Sequence, residues 1–276
     1  MPEGDTLFRI ATGLRRVLAG ETVVEARARP GPLLRSVPDL SGLVGMRVRE
    51  VESRGKHLLI RFGEGDRSRT LRTHLRMSGS WHRYRAGEPW RLPERRATVV
   101  LHTEHAVAVC FDCPTAELLT DTGLARSRAL TALGPDLLGP AFDSGVALAN
   151  LRERGNVAIG EALLEQRALA GIGNVVRNEA LFMERVDPWS PVESLSGTQL
   201  ERLVMTAQRV LRSAARDGDR TTTGDRTTTG DRRRGARLWV YGRGGRPCRR
   251  CGTRIEVSRQ GELARLTYWC PSCQRA

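Results

Sequence analysis

The chain has 276 residues and a formal net charge of +14 at neutral pH. This length is enough for two domains with separate hydrophobic cores, and the positive charge favours a polyanionic partner such as nucleic acid. We find no apolar run of roughly 18 residues and no signal-peptide pattern, so we expect a cytoplasmic protein that does not associate with membranes.

The first residues, Met1-Pro2-Glu3, suggest covalent chemistry. Methionine before proline is normally removed, so we expect Pro2 to carry the terminal amine. That amine has a pKa near 7.7–8.0, compared with about 10.4 for a lysine, and part of it therefore carries a lone pair at neutral pH. A secondary amine can attack carbon and become an iminium, while the neighbouring Glu3 can exchange a proton. The simpler alternative is that Pro2 and Glu3 only start a helix.

Lys56 is the single lysine in a chain with 45 lysines and arginines. Arginine cannot lose its proton in a protein, whereas a lysine in a suitable environment can act as an acid, a base or a nucleophile. We therefore interpret Lys56 as a functional residue. The alternative is that one lysine escaped a coding bias toward arginine by chance.

The hydrophobic pattern of the N-terminal part predicts one helix followed by a β-domain. Apolar residues at helical spacing run from Leu7 to Leu18, and Gly20 ends the pattern. Short β runs with turn residues between them then predict a sandwich or flattened barrel. We expect strands at Thr22–Ala28, Val48–Glu52, His57–Phe62, Thr70–His74, Thr98–His102 and Ala106–Phe111.

Cys110 and Cys113 form a lone C-x-x-C pair. Two thiolates seldom satisfy a zinc ion that requires four ligands, so we expect these cysteines to be small buried residues.

From residue 112 onward the pattern changes to glycine- and proline-rich sequence and then to helices. Residues 112–140 are interpreted as a connection between domains. A helix is predicted from Val175 to about Glu184, just after the turn Gly171-Ile172-Gly173-Asn174, whose backbone could approach a phosphate. Asn174 could also simply cap that helix. A further helix is predicted after Ser196, with Gln199 completing a capping box.

A tandem repeat, GDRTTTGDRTTTGDR, occupies residues 218–232. It offers no apolar side chain for burial, so we expect a mobile loop. An unstructured insertion is the simpler interpretation, and a loop that reaches over a bound nucleotide is the alternative.

Four cysteines near the C-terminus have the spacing of a zinc ribbon: Cys248, Cys251, Cys270 and Cys273. The residues between the two pairs predict a β-hairpin. Four sulfur ligands leave no open coordination position, so we predict one structural Zn²⁺ rather than a catalytic one.

Four separated segments resemble the formamidopyrimidine-DNA glycosylase/endonuclease VIII family. They are MPEGDT at the start, SRGKHLL at 53–59, LAGIGNVVRNEALF at 169–182, and YGRGGRPCRRCG with RLTYWCPSCQ within 241–274. The MPEGDT start is similar to the endonuclease VIII branch.

The resemblance implies an α+β protein with two domains: an N-terminal β-sandwich or flattened barrel flanked by helices, and a C-terminal helix-two-turn-helix domain with a zinc-ribbon hairpin. The expected boundaries are 1–125 for the catalytic domain, 126–217 for the helical DNA-binding domain, 218–237 for the mobile loop and 238–276 for the zinc finger.

The resemblance also implies a function: a bifunctional DNA glycosylase and abasic-site lyase acting on double-stranded DNA as a monomer. Oxidised pyrimidines are the expected substrates and oxidised purines the alternative. A non-catalytic zinc-ribbon DNA-binding protein is a further alternative, but it gives no reason for the Pro2-Glu3 start or the single lysine.

Site residues follow from the same resemblance. Pro2, Glu3 and Lys56 would carry the chemistry. Arg265 would grip phosphates flanking the lesion and assist elimination, although it could also be an ordinary solvated arginine. Gly173 and Asn174 would bind a phosphate. Arg76 and Met77 would fill the gap left in the DNA stack; otherwise Met77 is a core residue and Arg76 a solvated charge.

Overall fold

The computed structural model describes residues 2–34, 36–216, 226–233 and 235–275. These residues form two compact units, each with its own hydrophobic core. The first unit contains Pro2 and residues 6–131. The second contains Glu3–Asp5, residues 132–216 and the described residues from 226 to 275.

The first unit is built from two antiparallel four-stranded sheets with the strand orders β1-β6-β7-β5 and β2-β3-β4-β8. The strands are β1 (Val23–Ala28), β2 (Arg47–Arg54), β3 (His57–Glu64), β4 (Arg67–His74), β5 (Ser80–Arg85), β6 (Ala97–Thr103), β7 (Ala106–Phe111) and β8 (Thr115–Leu119). Helix α1 (Gly4–Leu18) precedes them, and the short helices α2 (Asp121–Ala125) and α3 (Arg128–Thr131) follow.

One core joins helix α1 to both sheets. Leu14 and Leu18 of the helix are buried in the same cluster as Ile60 of one sheet and Val99 of the other. Trp81 on β5 crosses the core and donates a hydrogen bond of 3.0 Å to Thr73 Oγ1 on β4. Apolar side chains on the facing sides of two sheets and on one helix stripe thus account for a sandwich flanked by a helix, and this part of the predicted fold is confirmed.

Strands β5 and β8 are missing from the sequence prediction. The sequence of β5, SWHRYR, has polar residues on both faces, because the buried Trp81 and Tyr84 lie on opposite sides of the strand. Strand β8 lies in the stretch that we interpreted as a connection. That interpretation is wrong for Thr115–Leu119, because Ala116 is buried in the core and the strand pairs with β4. Cys110 and Cys113 have no exposed surface and belong to the same core, which confirms their expected burial.

The second unit consists of helices and one β-hairpin. The helices are α4 (Ser144–Arg152), α5 (Ile159–Ala162), α6 (Asn174–Met183) and α7 (Gly197–Arg216). The predicted capping box is present before α7, because Ser196 Oγ accepts from the Gln199 amide at 3.2 Å and Gln199 Oε1 accepts from the Ser196 amide at 2.8 Å. Leucine and valine side chains of α6 and α7 pack in the core of this unit with apolar residues of α4, α5 and the connecting segments.

The hairpin consists of β9 (Glu256–Gln260) and β10 (Arg265–Trp269), which pair antiparallel. Its base packs on helix α6: Phe182 lies in a buried cluster with Val240, Ile255, Cys248 and Cys270. The helical unit and its four-cysteine hairpin agree with the predicted C-terminal architecture.

No helix within the described residues combines the length and the apolar character that a membrane span requires.

Candidate active site

The carboxylate of Glu3 caps the start of helix α6. Its Oε1 accepts a hydrogen bond of 2.8 Å from the Val175 amide, and its Oε2 accepts one of 3.3 Å from the Val176 amide. The first amides of a helix have no partner within the helix and carry partial positive charge, so they stabilise an anion there. The residue before the helix, Gly173, provides no side-chain cap. Glu3 is fully buried and fixed in this position.

Two glycines of the turn make this placement of Glu3 possible. A Cβ atom on Gly173 would lie 2.3 Å from the Cγ of Glu3, so no other residue fits there without moving the carboxylate. Gly171 has φ +105°, a left-handed conformation that favours glycine. Its carbonyl oxygen accepts a hydrogen bond of 2.9 Å from the Gly4 amide. Glu3 and Gly4 therefore pack directly against the glycine turn, although the two segments are far apart in sequence.

Asn174 lies beside Glu3 at the first position of α6 and is 7% exposed. Its Nδ2 donates a hydrogen bond of 2.9 Å to the carbonyl oxygen of Leu266 on strand β10. The amides of Val175 and Val176 are occupied by Glu3 rather than by an external anion. A phosphate contact of Gly173 or Asn174 therefore stays a prediction.

Arg226 is a site residue that sequence reasoning missed. Its Nε and Nη2 donate to both carboxylate oxygens of Asp5, at 2.9 Å and 2.5 Å, and its Nη1 lies 3.5 Å from Glu3 Oε2. Burial works against its charge, yet the carboxylates of Glu3 and Asp5 raise the pKa of the guanidinium above its ordinary value. The buried carboxylate next to Pro2 thus has a buried cationic neighbour.

The predicted mobile loop, residues 218–237, lies only partly within the described residues. Residues 217–225 lie outside the described residues, so the prediction stays open there. Arg226 does not fit this prediction, because the residue is only 6% exposed. The prediction considered apolar burial alone, whereas this segment is held by an ion pair and by hydrogen bonds of its threonines.

Lys56 lies in the tight turn between β2 and β3, directly after Gly55, and is half-buried. Two histidines of the same unit, His57 and His74, have ring centroids 4.9 Å apart. Arg72 Nη1 lies 3.0 Å from His57 Nδ1, and its guanidinium also pairs with Glu117 at 2.7 Å.

Both histidines are neutral at physiological pH. Burial, followed by the charges of His74 and Arg72, lowers the pKa of His57 to about 3. Burial, followed by the charges of Arg76 and Lys56, lowers the pKa of His74 to about 4. Lys56 is therefore one of several basic side chains around two imidazoles that stay uncharged.

Arg76 and Met77 follow β4 and are exposed. Met77 is 64% exposed, so the alternative that it is a core residue is wrong. Arg76 has φ 44°, a left-handed conformation in which glycine is favoured. Both residues line an open cavity of about 670 Å³ in the first unit, together with Leu33, Pro114 and Glu117 among others. An exposed apolar tip is compatible with insertion between bases, and this role stays a prediction.

The hairpin presents Arg265 at the start of β10. Its side chain is half-exposed and has no hydrogen bond or ion pair with any of the described residues. The hairpin itself is fixed to helix α6 by Arg177, a fully buried residue that sequence reasoning also missed. Arg177 donates to Gln260 Oε1 at 3.3 Å and to the Leu266 carbonyl at 3.0 Å, and burial lowers its pKa to about 10.

The four cysteines of the hairpin base could hold a metal ion. Their sulfur atoms all lie within 4.8 Å of one another, with Cys251 and Cys270 at 3.4 Å and Cys248 and Cys273 at 4.0 Å. A tetrahedral site with metal–sulfur bonds of about 2.3 Å requires sulfur atoms about 3.8 Å apart. The spacing and the all-sulfur donor set therefore fit a closed tetrahedral site.

Two family models match the chain. The formamidopyrimidine-DNA glycosylase N-terminal domain covers residues 1–115, and the formamidopyrimidine-DNA glycosylase H2TH domain covers residues 133–225. A solved complex of Lactococcus lactis Fpg with DNA containing an abasic site shares the fold, with a TM-score of 0.80 over 100% of both chains at 22% identity.

Several named relatives align over nearly the whole chain. It is 42% identical to Probable endonuclease 8 2 of Streptomyces coelicolor, over 99% of this chain and 94% of that one. It is 44% identical to DNA-(apurinic or apyrimidinic site) lyase Nei2 of Mycolicibacterium smegmatis, over 100% of both. It is 35% identical to formamidopyrimidine-DNA glycosylase of Methylococcus capsulatus, over 100% of this chain and 99% of that one. With these matches, a buried Glu3 behind Pro2 and a four-cysteine hairpin, the chain belongs to the formamidopyrimidine-DNA glycosylase/endonuclease VIII family, on its endonuclease VIII side.

Proposed function

We propose that this protein is a bifunctional DNA glycosylase and abasic-site lyase of base excision repair that uses Pro2 as its nucleophile and removes oxidised pyrimidines. The observation that carries the proposal is the fixed, fully buried Glu3 carboxylate, one residue from Pro2. A residue that only started helix α1 would not need to be held by the amides of another helix. Family membership supports the same activity.

The chemistry begins at C1′ of the damaged nucleotide. The Pro2 nitrogen bonds to C1′ as the bond from C1′ to the base breaks, and the base departs with a proton. Glu3 accepts the proton that the Pro2 nitrogen loses and delivers it to the sugar ring oxygen as the ring opens, which leaves an iminium between Pro2 and the DNA. A carboxylate can accept about four hydrogen bonds, so the two helix amides leave Glu3 with capacity for this exchange.

Strand cleavage follows from the iminium. The cation acidifies C2′; loss of a proton there breaks the C3′–O bond and releases the 3′ phosphate. Loss of the C4′ proton then breaks the C5′–O bond and releases the 5′ phosphate, and water hydrolyses the iminium to restore Pro2. Lys56 supplies a proton during base loss or elimination, since a lysine, unlike the arginines of this chain, can release one. Arg265 binds the flanking phosphates and assists elimination.

DNA binding is supported by the net charge of +14 and by the structures of relatives with damaged or abasic DNA. Arg76, Met77, Gly173 and Asn174 are the proposed further contacts. We expect a cytoplasmic monomer bound to double-stranded DNA.

The metal is proposed to be one Zn²⁺ held by Cys248, Cys251, Cys270 and Cys273. When bound, it crosslinks the base of the hairpin and so stiffens the strand that carries Arg265. The four cysteine ligands leave no open coordination position on the metal for substrate.

The lesion class rests on similarity to proteins named endonuclease 8, at 42% identity, compared with 35% for a protein named formamidopyrimidine-DNA glycosylase. Oxidised purines remain the second candidate because the latter relative aligns over the whole chain. Parallel single-turnover assays on duplexes with dihydrouracil, thymine glycol or 8-oxoguanine decide between them.

The nucleophile is tested by borohydride trapping on a duplex with an abasic site, followed by mass spectrometry of the adduct. We expect the crosslink at Pro2 and its loss in Pro2→Gly. A retained initiator methionine in active enzyme, or an adduct on another residue, contradicts the mechanism. Absence of any adduct favours a DNA-binding protein without activity.

Lys56→Arg tests the single lysine, because this variant keeps the charge but not the ability to titrate. We expect excision to slow by about 100-fold, a typical contribution of general acid–base catalysis. Wild-type turnover in Lys56→Arg would contradict the assigned role.

A further inference from the structure

Two acidic side chains of the N-terminal segment, Glu3 and Asp5, are fully buried in the second unit. Buried carboxylates repel one another and lose hydration, so they persist as charges only with a cation and hydrogen bonds around them. Val175 and Val176 provide amides for Glu3, but these carry only partial charge. Arg226 is a cation that contacts both carboxylates.

The contact between Arg226 and Asp5 has the geometry of a fork. Two nitrogens of one guanidinium meet two oxygens of one carboxylate, and this bidentate pairing fixes the plane of the arginine. The remaining nitrogen, Nη1, is then directed toward Glu3 Oε2 at 3.5 Å. A lysine could supply the charge but not the two-sided geometry.

The segment after Arg226 is built to hold it. The Thr227 hydroxyl donates to the carbonyl of Asp231 at 3.0 Å, and the Thr229 hydroxyl donates to the carbonyl of Ala236 at 2.8 Å. The Thr228 hydroxyl donates to the buried carboxylate of Glu179, on helix α6. The second copy of the repeat therefore folds back on itself.

Glu179 anchors the same segment from both ends. Besides Thr228, it accepts from the amides of Trp239, Val240 and Tyr241 at 2.8–2.9 Å. Trp239 Nε1 in turn donates to the Thr228 carbonyl at 3.1 Å. Helix α6 thus fixes Glu3 at its first turn and, through Glu179, the chain that carries Arg226.

We propose that Arg226 is a positioning residue for catalysis: it offsets part of the negative charge of the buried Glu3–Asp5 pair and orients the Glu3 carboxylate for proton exchange with the sugar. This inference rests on the proposed role of Glu3 in base excision. It assigns a catalytic purpose to the second Arg-Thr-Thr-Thr copy of the repeat, which differs from both sequence-based interpretations, an unstructured insertion and a loop that reaches over a bound nucleotide.

The test compares two substrates under single-turnover conditions. Excision of dihydrouracil needs Glu3 to open the sugar ring, whereas a preformed abasic site can react with Pro2 through its open-chain aldehyde, with neither base departure nor ring opening by Glu3. We expect Arg226→Ala to slow excision by about 10- to 100-fold, as misplaced catalytic groups do, and to slow abasic-site cleavage by less than about threefold. Arg226→Lys restores the charge without the fork and should recover only part of the excision rate.

Arg233→Ala is the matched control, because it removes an equal charge from the same segment but from a side chain that is 86% exposed. We expect both rates to be unchanged. Arg220 stands in the same sequence context, Asp-Arg-Thr-Thr-Thr-Gly, as Arg226. Arg220→Ala/Arg226→Ala is therefore included to exclude replacement of one arginine by the other, and it should match Arg226→Ala.

A double-mutant cycle separates positioning from general structural damage. In the Glu3→Gln background, Arg226→Ala should change the residual excision rate by less than about twofold, because its effect acts through Glu3. Equal slowing on both substrates, an undiminished effect of Arg226→Ala in the Glu3→Gln background, or wild-type excision in Arg226→Lys would overturn the proposal. Should Arg226→Ala not fold, Arg226→Lys and the cycle built on it decide the matter.

The wild-type chain distinguishes this inference from the proposed function. The positioning role alone is overturned if the wild type forms the Pro2 adduct and excises dihydrouracil while the Arg226 variants behave like Arg233→Ala. A wild type without any Pro2 adduct overturns the proposed function and with it this role.

Discussion

Arg177 Nη2 donates a hydrogen bond of 2.7 Å to Thr267 Oγ1, and neither residue has any exposed surface. A helix residue and a hairpin residue thus meet in the interior of the second unit. Removing one partner of a buried charged interaction leaves the other polar groups without partners, which is more costly than the interaction itself contributes.

Arg177→Ala should therefore lower the free energy of unfolding of the zinc-loaded protein by about 3–5 kcal/mol. Urea unfolding followed by circular dichroism measures it. Arg259→Ala is the control, since this hairpin arginine is exposed and should change stability by less than about 0.5 kcal/mol. Equal effects of the two substitutions would show that Arg177 does not fix the hairpin.

Gly173→Ala tests the close approach of the turn to Glu3. The added Cβ would lie 2.3 Å from Glu3 Cγ, so the carboxylate must leave the amides of Val175 and Val176. We expect excision to fall by about 100-fold, with a loss of about 1–3 kcal/mol in stability from the helix amides left unpaired.

Gly42→Ala is a matched control for that substitution. Gly42 has no atom within 4 Å of the position of a Cβ and no left-handed φ, so an alanine fits there without strain. Single-turnover excision in Gly42→Ala should equal that of the wild type. An active Gly173→Ala would contradict the assigned position of Glu3.

The sequence was sufficient for the parts of the fold that repeat a local pattern. Helices α1, α6 and α7, most strands and the four-cysteine hairpin follow from hydrophobic period, capping residues and cysteine spacing. Strand β5 was not predictable in this way, because its two buried aromatic residues, Trp81 and Tyr84, lie on opposite faces and belong to different core clusters, so no apolar face alternates with a polar one.

The candidate site shows a different limit. Pro2 and Glu3 could be identified from terminal chemistry and family resemblance, but Arg226 could not, since its neighbours suggest an exposed polar loop. Its burial depends on Asp5, 221 residues earlier in the chain. Pairing of polar residues over such a separation leaves no periodic signal in a single sequence.

The two low-pKa histidines make stability depend on pH in the mildly acidic range. The pKa values of His57 and His74 are about 3 and about 4 in the folded protein, against 6.5 when unfolded. The unfolded chain therefore binds more protons below pH 6.5, and stability is lost as the pH falls through that value. Between pH 7.5 and pH 5.5 the two together should cost about 3 kcal/mol.

Urea unfolding at several pH values between 7.5 and 5.5, with zinc present throughout, measures this slope. His57→Asn and His74→Asn should each remove about half of it, because each substitution removes one of the two groups that gain a proton on unfolding. A slope that persists in the double variant would assign the pH dependence to other groups.

Arg76→Gly should change stability and DNA binding in opposite directions. Arg76 has φ 44°, a conformation that costs a residue with a side chain about 1–2 kcal/mol. Glycine avoids this cost, but it loses more conformational entropy on folding, which offsets part of the gain in stability. We expect the free energy of unfolding to rise by up to about 1 kcal/mol. If Arg76 binds a phosphate, the slope of log affinity against log salt should become shallower by about 0.9.

Arg76→Lys completes this comparison because it keeps both the strained backbone and the charge. It should leave stability and the salt slope as in the wild type, measured by fluorescence anisotropy on an abasic-site duplex over a salt series. An unchanged slope in Arg76→Gly would exclude a phosphate contact. A lower stability in that variant would mean that contacts of the Arg76 side chain, rather than its backbone strain, dominate at this turn.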